Sequence, residues 1–156
     1  MNDFFANNAH IIVFLHVISA IIWVGGMIAI RFAVHPNLQL LEDTRLKLNR
    51  TLAIMGRFFN IVIPFIIILI ITAVIMSLGI DIDNKMLIHA KEAIWTIMAL
   101  NFTFMYLQRR KAQKFFDNNQ LADAKLTLVI IPKILLPINI VLGLIALWLG
   151  VTLRGF

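Results

Sequence analysis

Four long apolar blocks dominate this sequence and decide what it can fold into. They cover residues 9–34, 58–80, 86–107 and 126–151. About 20 consecutive apolar residues suffice for a helix to cross the hydrocarbon core of a bilayer. With 61% hydrophobic and only 14% charged residues, the chain has too little polar surface for a soluble domain of this size. The sequence therefore predicts an all-α fold in contact with the lipid bilayer, with residues 1–156 forming a single bundle of four transmembrane helices.

The basic residues predict how this bundle is oriented. They concentrate after the first and third blocks: Arg31, Arg45, Lys47, Arg50, Arg57, Arg109, Arg110, Lys111, Lys114 and Lys125. The loop at 80–84, by contrast, is acidic. Lys and Arg favour the cytoplasmic side, so we expect a multi-pass protein of a bacterial inner membrane with both termini outside. The net charge of +6 is then explained by topology, and we expect no nucleic-acid partner.

The first basic segment has a helical pattern of its own. Leu41, Leu48 and Leu52 share one helical stripe, and charged residues are interleaved between them. Pro36, just before, is expected to end the first helix or to begin a new one. We interpret the segment as a cytoplasmic amphipathic extension before helix two that lies on the membrane surface.

A histidine inside the first apolar block is the strongest functional signal. Ionisable groups within a membrane span are costly and are usually functional or paired. His16 shares a helical face with Trp23, and Gly25 and Gly26 allow a close approach by a neighbouring helix or a flat cofactor. This combination suits a porphyrin or metal pocket. The alternative is a bundle-facing histidine that is hydrogen-bonded to another helix.

A second histidine opens the third block. Helices one and three run in the same direction, so His89 can lie at a depth similar to His16, and two imidazoles across a bundle can hold a b-type haem. Glu92, nearly on the same face, could orient His89 or shuttle a proton, and Lys91 is its catalytic neighbour or its salt-bridge partner. His89 could equally be an interfacial residue in contact with water.

Further candidate ligands lie toward the two ends of the first helix. His10 is rotated by about 120° from His16, which favours an interfacial position or the mouth of a copper path. Arg31, His35 and Lys133 could form a basic rim for haem propionates, porphyrin carboxylates or lipid phosphates, or could simply anchor the helices. The sequence contains no cysteine, which excludes disulfides, zinc–thiolate sites and covalently attached c-type haem.

Several of these residues also form a family pattern. Leu15-His16, followed by Trp23, Gly25-Gly26, Arg31 and His35, resembles the opening helix of the CopD/HemJ-type small integral membrane proteins. The segments 57–59, 89–91 and 109–111 resemble later parts of that family. Similarity to HemJ-type protoporphyrinogen oxidases implies a b-type haem held by His16 and oxidation of a porphyrinogen. Similarity to copper resistance protein D implies copper handling at the periplasmic face.

Three functional hypotheses follow from the sequence. The first is a haem-b redox protein, with HemJ-like oxidoreductase activity on a porphyrin precursor or electron transfer to a quinone. The second is copper binding or transport, and the third is a structural or assembly subunit without a cofactor. A homo-oligomer remains an alternative to a monomer. The predicted catalytic residues are Glu92 and Lys91, the cofactor-binding residues are His16, His89, Trp23, Gly26 and Arg31, and the metal ligands are His16, His89 and His10.

Overall fold

The computed structural model describes residues 2–79 and 85–152, and these form four long helices. α1 is α-helical over Asn2–Ala20, Gly26–Ala29 and His35–Gln39, with π-helical turns at Ile21–Gly25 and Ile30–Val34 between these segments. α2 is Thr44–Gly79, and α3 is Lys85–Asp117. α4 comprises Leu121–Ile130 and Leu136–Thr152, joined by a π-helical turn at Ile131–Leu135. No strand occurs in either described range, which confirms the predicted all-α class.

Three of the four helices have the length and composition of membrane spans. These spans are Phe4–Gln39 in α1, Thr44–Gly79 in α2 and Leu121–Thr152 in α4. α3 is equally long but more polar, because Lys91, Glu92 and Asn101 fall within its predicted apolar block. The structure therefore shows a protein with three helices able to cross a membrane.

The helices extend well beyond the apolar blocks that predicted them. α2 has 36 residues, about 54 Å at about 1.5 Å per residue, whereas the hydrocarbon core of a bilayer is about 30 Å thick. α1 likewise continues to Gln39, and Pro36 lies at the start of its last α-helical segment, in agreement with the second of the two expectations for this proline. Proline is tolerated there because it occupies the first turn of the segment His35–Gln39, where a backbone N–H is not needed.

The amphipathic segment before helix two is the first part of α2 itself. Asp43 begins the helix, because its Oδ1 accepts two backbone N–H groups of the first turn at 2.7 and 3.0 Å. Leu48 and Leu52 are buried in the bundle core. The amphipathic extension is therefore continuous with helix two, but its stripe packs against the other helices and does not lie on the membrane surface.

Polar side chains join α3 to its two neighbours. Asn101 Nδ2 donates to Asn139 Oδ1 at 2.7 Å and to the carbonyl oxygen of Leu135 at 2.9 Å, and Asn139 Nδ2 donates to the carbonyl oxygen of Met98 at 3.2 Å. Asn139 is completely buried. Because lipid offers no alternative partner to such groups, these bonds fix the register between α3 and α4.

A second polar contact joins α3 to α2. Arg109 Nε and Nη2 both donate to the carbonyl oxygen of Leu52, at 3.2 and 3.1 Å. The guanidinium lies directly over Gly56, where a Cβ atom would be 2.7 Å from Nη2. The glycine thus creates the space that lets the arginine reach the α2 backbone.

Candidate functional site

His16 lies at the contact between α1 and α2. Its Nδ1 is 3.0 Å from Thr72 Oγ1, and Thr72 is buried on α2. His16 itself is partly buried. His16 therefore faces the neighbouring helix α2. This agrees with the interpretation of a bundle-facing histidine that is hydrogen-bonded to another helix.

Thr72 also indicates which ring nitrogen of His16 carries a proton. Thr72 Oγ1 is 2.8 Å from the carbonyl oxygen of Ile68 and 3.0 Å from that of Leu69. Since the hydroxyl proton is directed to this backbone, the hydroxyl oxygen can accept a hydrogen bond from His16 Nδ1–H. On this basis we assign a ring proton to Nδ1.

Trp23 lies about two turns farther along α1, in the centre of the bundle. It is 2% exposed, and its ring meets Phe102 of α3 edge to face, with centroids 5.9 Å apart. Its Nε1 is buried without a hydrogen-bond partner among the described residues. A buried indole N–H usually finds an acceptor, so this atom marks a place where a water or ligand oxygen would be favourable.

His89 and Glu92 form a local pair at the start of α3. His89 Nδ1 is 3.1 Å from Glu92 Oε2, and the two side chains are 75% and 47% exposed. The imidazole points away from the bundle interior, and the structure does not bring it to the His16–Thr72 contact. Lys91, between them in sequence, lies over α4, where its Nζ is 3.2 Å from the position of a Cβ on Gly150.

The other candidate ligands are dispersed along α1. His10 is exposed and lines a shallow groove on the outer face of the helix with Phe14 and Val17. Gly26 faces Phe58 of α2 so closely that a Cβ would be 2.5 Å from the ring, so here the glycine serves helix packing. Arg31 lies 15 residues beyond His16, about 22 Å along the axis, which is farther than one porphyrin ring extends.

No group of three or more His, Cys, Asp or Glu side chains that could hold a metal ion occurs within residues 2–79 and 85–152.

Sequence reasoning missed Thr72, although a signal was present. Phe59, Val62, Ile66 and Leu69 form the buried stripe of α2 at intervals of three and four residues, and Thr72 continues it. A hydroxyl at the next position of an apolar stripe indicates a polar partner on the facing helix. The spacing alone does not identify that partner as His16.

Comparison with family models, with curated proteins and with solved structures found no match for this chain.

Proposed function

We propose that all four helices cross a membrane. α3 supports this because it is packed along its whole length against helices that have the composition of spans. It contacts α2 through Arg109 near one end, α4 through Asn101 in the middle, and α4 again through Lys91 at the other end. Arg109, Asn101 and Lys91 thus face protein partners, which lowers the cost of placing them in lipid.

The distribution of charge supports an orientation for the bundle. Of the 14 Lys and Arg residues, all except Lys85, Lys91 and Arg154 lie in the ranges 31–57 and 109–133. Both ranges belong to the end of the bundle where residues 40–43 join α1 to α2 and residues 118–120 join α3 to α4. We infer that this basic end faces the cytoplasm of a bacterial cell, with both termini outside.

Within this bundle, we propose that His16 would hold a b-type haem through its Nε2. The observation that carries the proposal is the 3.0 Å contact from His16 Nδ1 to Thr72 Oγ1. Metal-ligating histidines almost always donate their other ring N–H, because this bond orients the ring and raises the basicity of the ligating nitrogen. The unpartnered Trp23 indole N–H, on the same face of α1, adds a donor for a polar atom of the bound group.

The haem would supply one-electron redox chemistry, and this chain's residues would bind and orient it. The resemblance to CopD/HemJ-type proteins favours a reduced porphyrin precursor or a quinone as the redox partner. The His89–Glu92 pair lies at the same end of the bundle as His16, and we propose it as the acceptor for protons released there. A haem is favoured over copper because one imidazole can suffice for haem, whereas the described residues contain no group of three donors.

A reduced-minus-oxidised visible spectrum of the purified protein tests this proposal. We expect a Soret band that shifts on reduction in the wild-type protein and is absent in His16→Ala. His10→Ala is the matched control, since it removes an exposed imidazole from the same helix and should keep the band. A band of full amplitude in His16→Ala, or a colourless wild-type protein that contains stoichiometric copper, contradicts haem ligation by His16.

A further inference from the structure

The exposed face of α3 differs in chemistry from the exposed face of α2. On α3, exposed side chains follow one stripe at intervals of three and four residues: Met86, His89, Ala93, Thr96, Leu100, Thr103 and Leu107. The exposed face of α2 is mainly aliphatic, with Ile61, Ile67, Ile71, Val74 and Leu78. Aliphatic side chains suit contact with acyl chains, whereas polar side chains on a membrane helix usually face protein.

The polar part of this α3 face begins with the His89–Glu92 pair. Their contact joins Nδ1 of the imidazole to Oε2 of the carboxylate at 3.1 Å, so the imidazole Nε2 and the carboxylate Oε1 can still bind another group. Both side chains are exposed on the outside of the bundle. Because a basic and an acidic group lie side by side, the patch is complementary to a second copy of itself.

A two-fold axis along the membrane normal would bring two such patches together. It makes the two copies of α3 parallel, with identical residues at the same depth. His89 and Glu92 are three residues apart, about 4.5 Å along the helix axis, so each imidazole comes within reach of the carboxylate of the other copy. Ala90 and Ala93 are small and exposed beside this pair, which lets the two backbones approach closely.

Two threonines continue the polar face farther along α3. Thr96 Oγ1 donates to the carbonyl oxygen of Glu92 at 2.8 Å, and Thr103 Oγ1 donates to that of Ala99 at 2.9 Å. These bonds satisfy the hydroxyl protons, and each oxygen can accept a further hydrogen bond at the helix surface. The spacing of seven residues from His89 to Thr96 to Thr103 keeps these side chains on the contact line of a left-handed helix pair.

We propose that this face of α3 is the contact between two copies of the chain, which form a parallel two-fold dimer in the membrane. Imidazole–carboxylate contacts between the copies lie at the outer end, and Ala93, Leu100 and Leu107 pack farther along the helix. The inference rests on α3 crossing the membrane, as proposed above, and not on haem binding.

Disulfide cross-linking of the full chain in native membranes tests the dimer, since the chain has no cysteine. Ala93→Cys and Leu100→Cys place a thiol on the proposed contact line, and Ile67→Cys and Ile71→Cys place one on the exposed face of α2. With copper phenanthroline as the oxidant, we expect on the order of tenfold more cross-linked dimer from the α3 positions, because thiols whose Cα atoms stay more than about 7 Å apart cannot be bridged. Equal yields from the two faces overturn the proposal. So does the absence of a cross-link from α3, which is the result expected if a different protein covers this face.

Labelling of Leu100→Cys distinguishes failure of the dimer from failure of the membrane span. A thiol inside the membrane should stay unlabelled by an impermeant maleimide in permeabilised membranes. Labelling would show that α3 does not cross the membrane, and the span and the dimer would both be wrong. A thiol that is neither labelled nor cross-linked overturns the dimer alone.

A charge exchange tests the contacts assigned between the two copies. His89→Glu gives each face two carboxylates, and Glu92→Lys gives each face two basic groups. Each variant should lower the cross-linking yield of Leu100→Cys at least about tenfold, because like charges then meet across the two-fold axis. Co-expression of the two variants with different affinity tags should restore cross-linking between them, which would also show that both fold. A yield between the variants as low as that of either variant alone contradicts the proposed contacts.

Discussion

Replacing Asn139 by leucine tests the polar contact that joins α3 to α4. The side chain is completely buried and makes two bonds to α3, one with the Asn101 side chain and one with the Met98 carbonyl oxygen. Leucine has nearly the same shape, so the substitution removes the two hydrogen bonds with little change in packed volume. Asn101 keeps its second bond, to the carbonyl oxygen of Leu135.

The magnitude follows from the number of bonds that are lost. Interhelical hydrogen bonds in membrane proteins contribute about 0.6 kcal/mol each on average and about 1.7 kcal/mol at most. Two such bonds give an expected destabilisation of about 1–3 kcal/mol for Asn139→Leu. Asn101→Leu removes the same side chain–side chain bond together with the bond to Leu135, so its cost should be similar.

A double-mutant cycle separates the shared bond from everything else. The free energy of unfolding is measured in mild detergent or bicelles for the wild type, Asn139→Leu, Asn101→Leu and the double variant. The shared bond is lost only once in the double variant, so its cost should be smaller than the sum of the single costs by about 0.6–1.7 kcal/mol. Strict additivity would refute the direct bond between the two amides.

Three further outcomes are expected. In the same unfolding assay, Gly56→Ala should destabilise the bundle by about 1–2 kcal/mol, because the new methyl group crowds the Arg109 guanidinium that binds the α2 carbonyl. Gly25→Ala is the control, since no atom lies within 4 Å of the position of its Cβ. It should be neutral or stabilising by up to about 1 kcal/mol. In a haem titration, Thr72→Val should lower haem affinity about 10- to 100-fold. Thr72→Ser should not, since serine keeps the hydroxyl that orients His16. Equal affinities in the two variants would contradict this role of Thr72. The chain has no cysteine, so single cysteines can report the orientation of the bundle. Gln120→Cys, at the proposed cytoplasmic end, should react with an impermeant maleimide only after permeabilisation, whereas Met86→Cys, at the other end, should react in intact cells. The opposite pattern would reverse the proposed orientation.

Hydropathy predicted the number and order of the helices but not their ends. The apolar block at 9–34 corresponds to a helix that runs from Asn2 to Gln39 with two π-helical turns. Hydropathy reports the thickness of the hydrocarbon core, and a helix can continue beyond it wherever other helices pack against it. For the same reason the stripe at Leu48 and Leu52 was assigned to the membrane surface, although its partner is the bundle core.

The candidate site was only partly predictable because its contacts depend on helix register. A buried histidine with a helical partner was expected at His16, and the pair His89–Glu92 follows from a spacing of three residues. The partner Thr72 is 56 residues away in sequence, and only the packing of α1 on α2 brings it to His16. Arg109 reaches the α2 backbone through the space at Gly56, and nothing in either local sequence indicates this pairing.

The most direct test of haem ligation is chemical rescue of the His16→Gly variant. This substitution removes the imidazole and leaves room for an added one, while size-exclusion chromatography reports whether the bundle stays folded. We expect the variant to lack the Soret band and to regain it, in proportion to bound haem, when free imidazole is supplied. A folded variant that keeps the full band without imidazole, or never gains one with it, would show that His16 does not hold a haem.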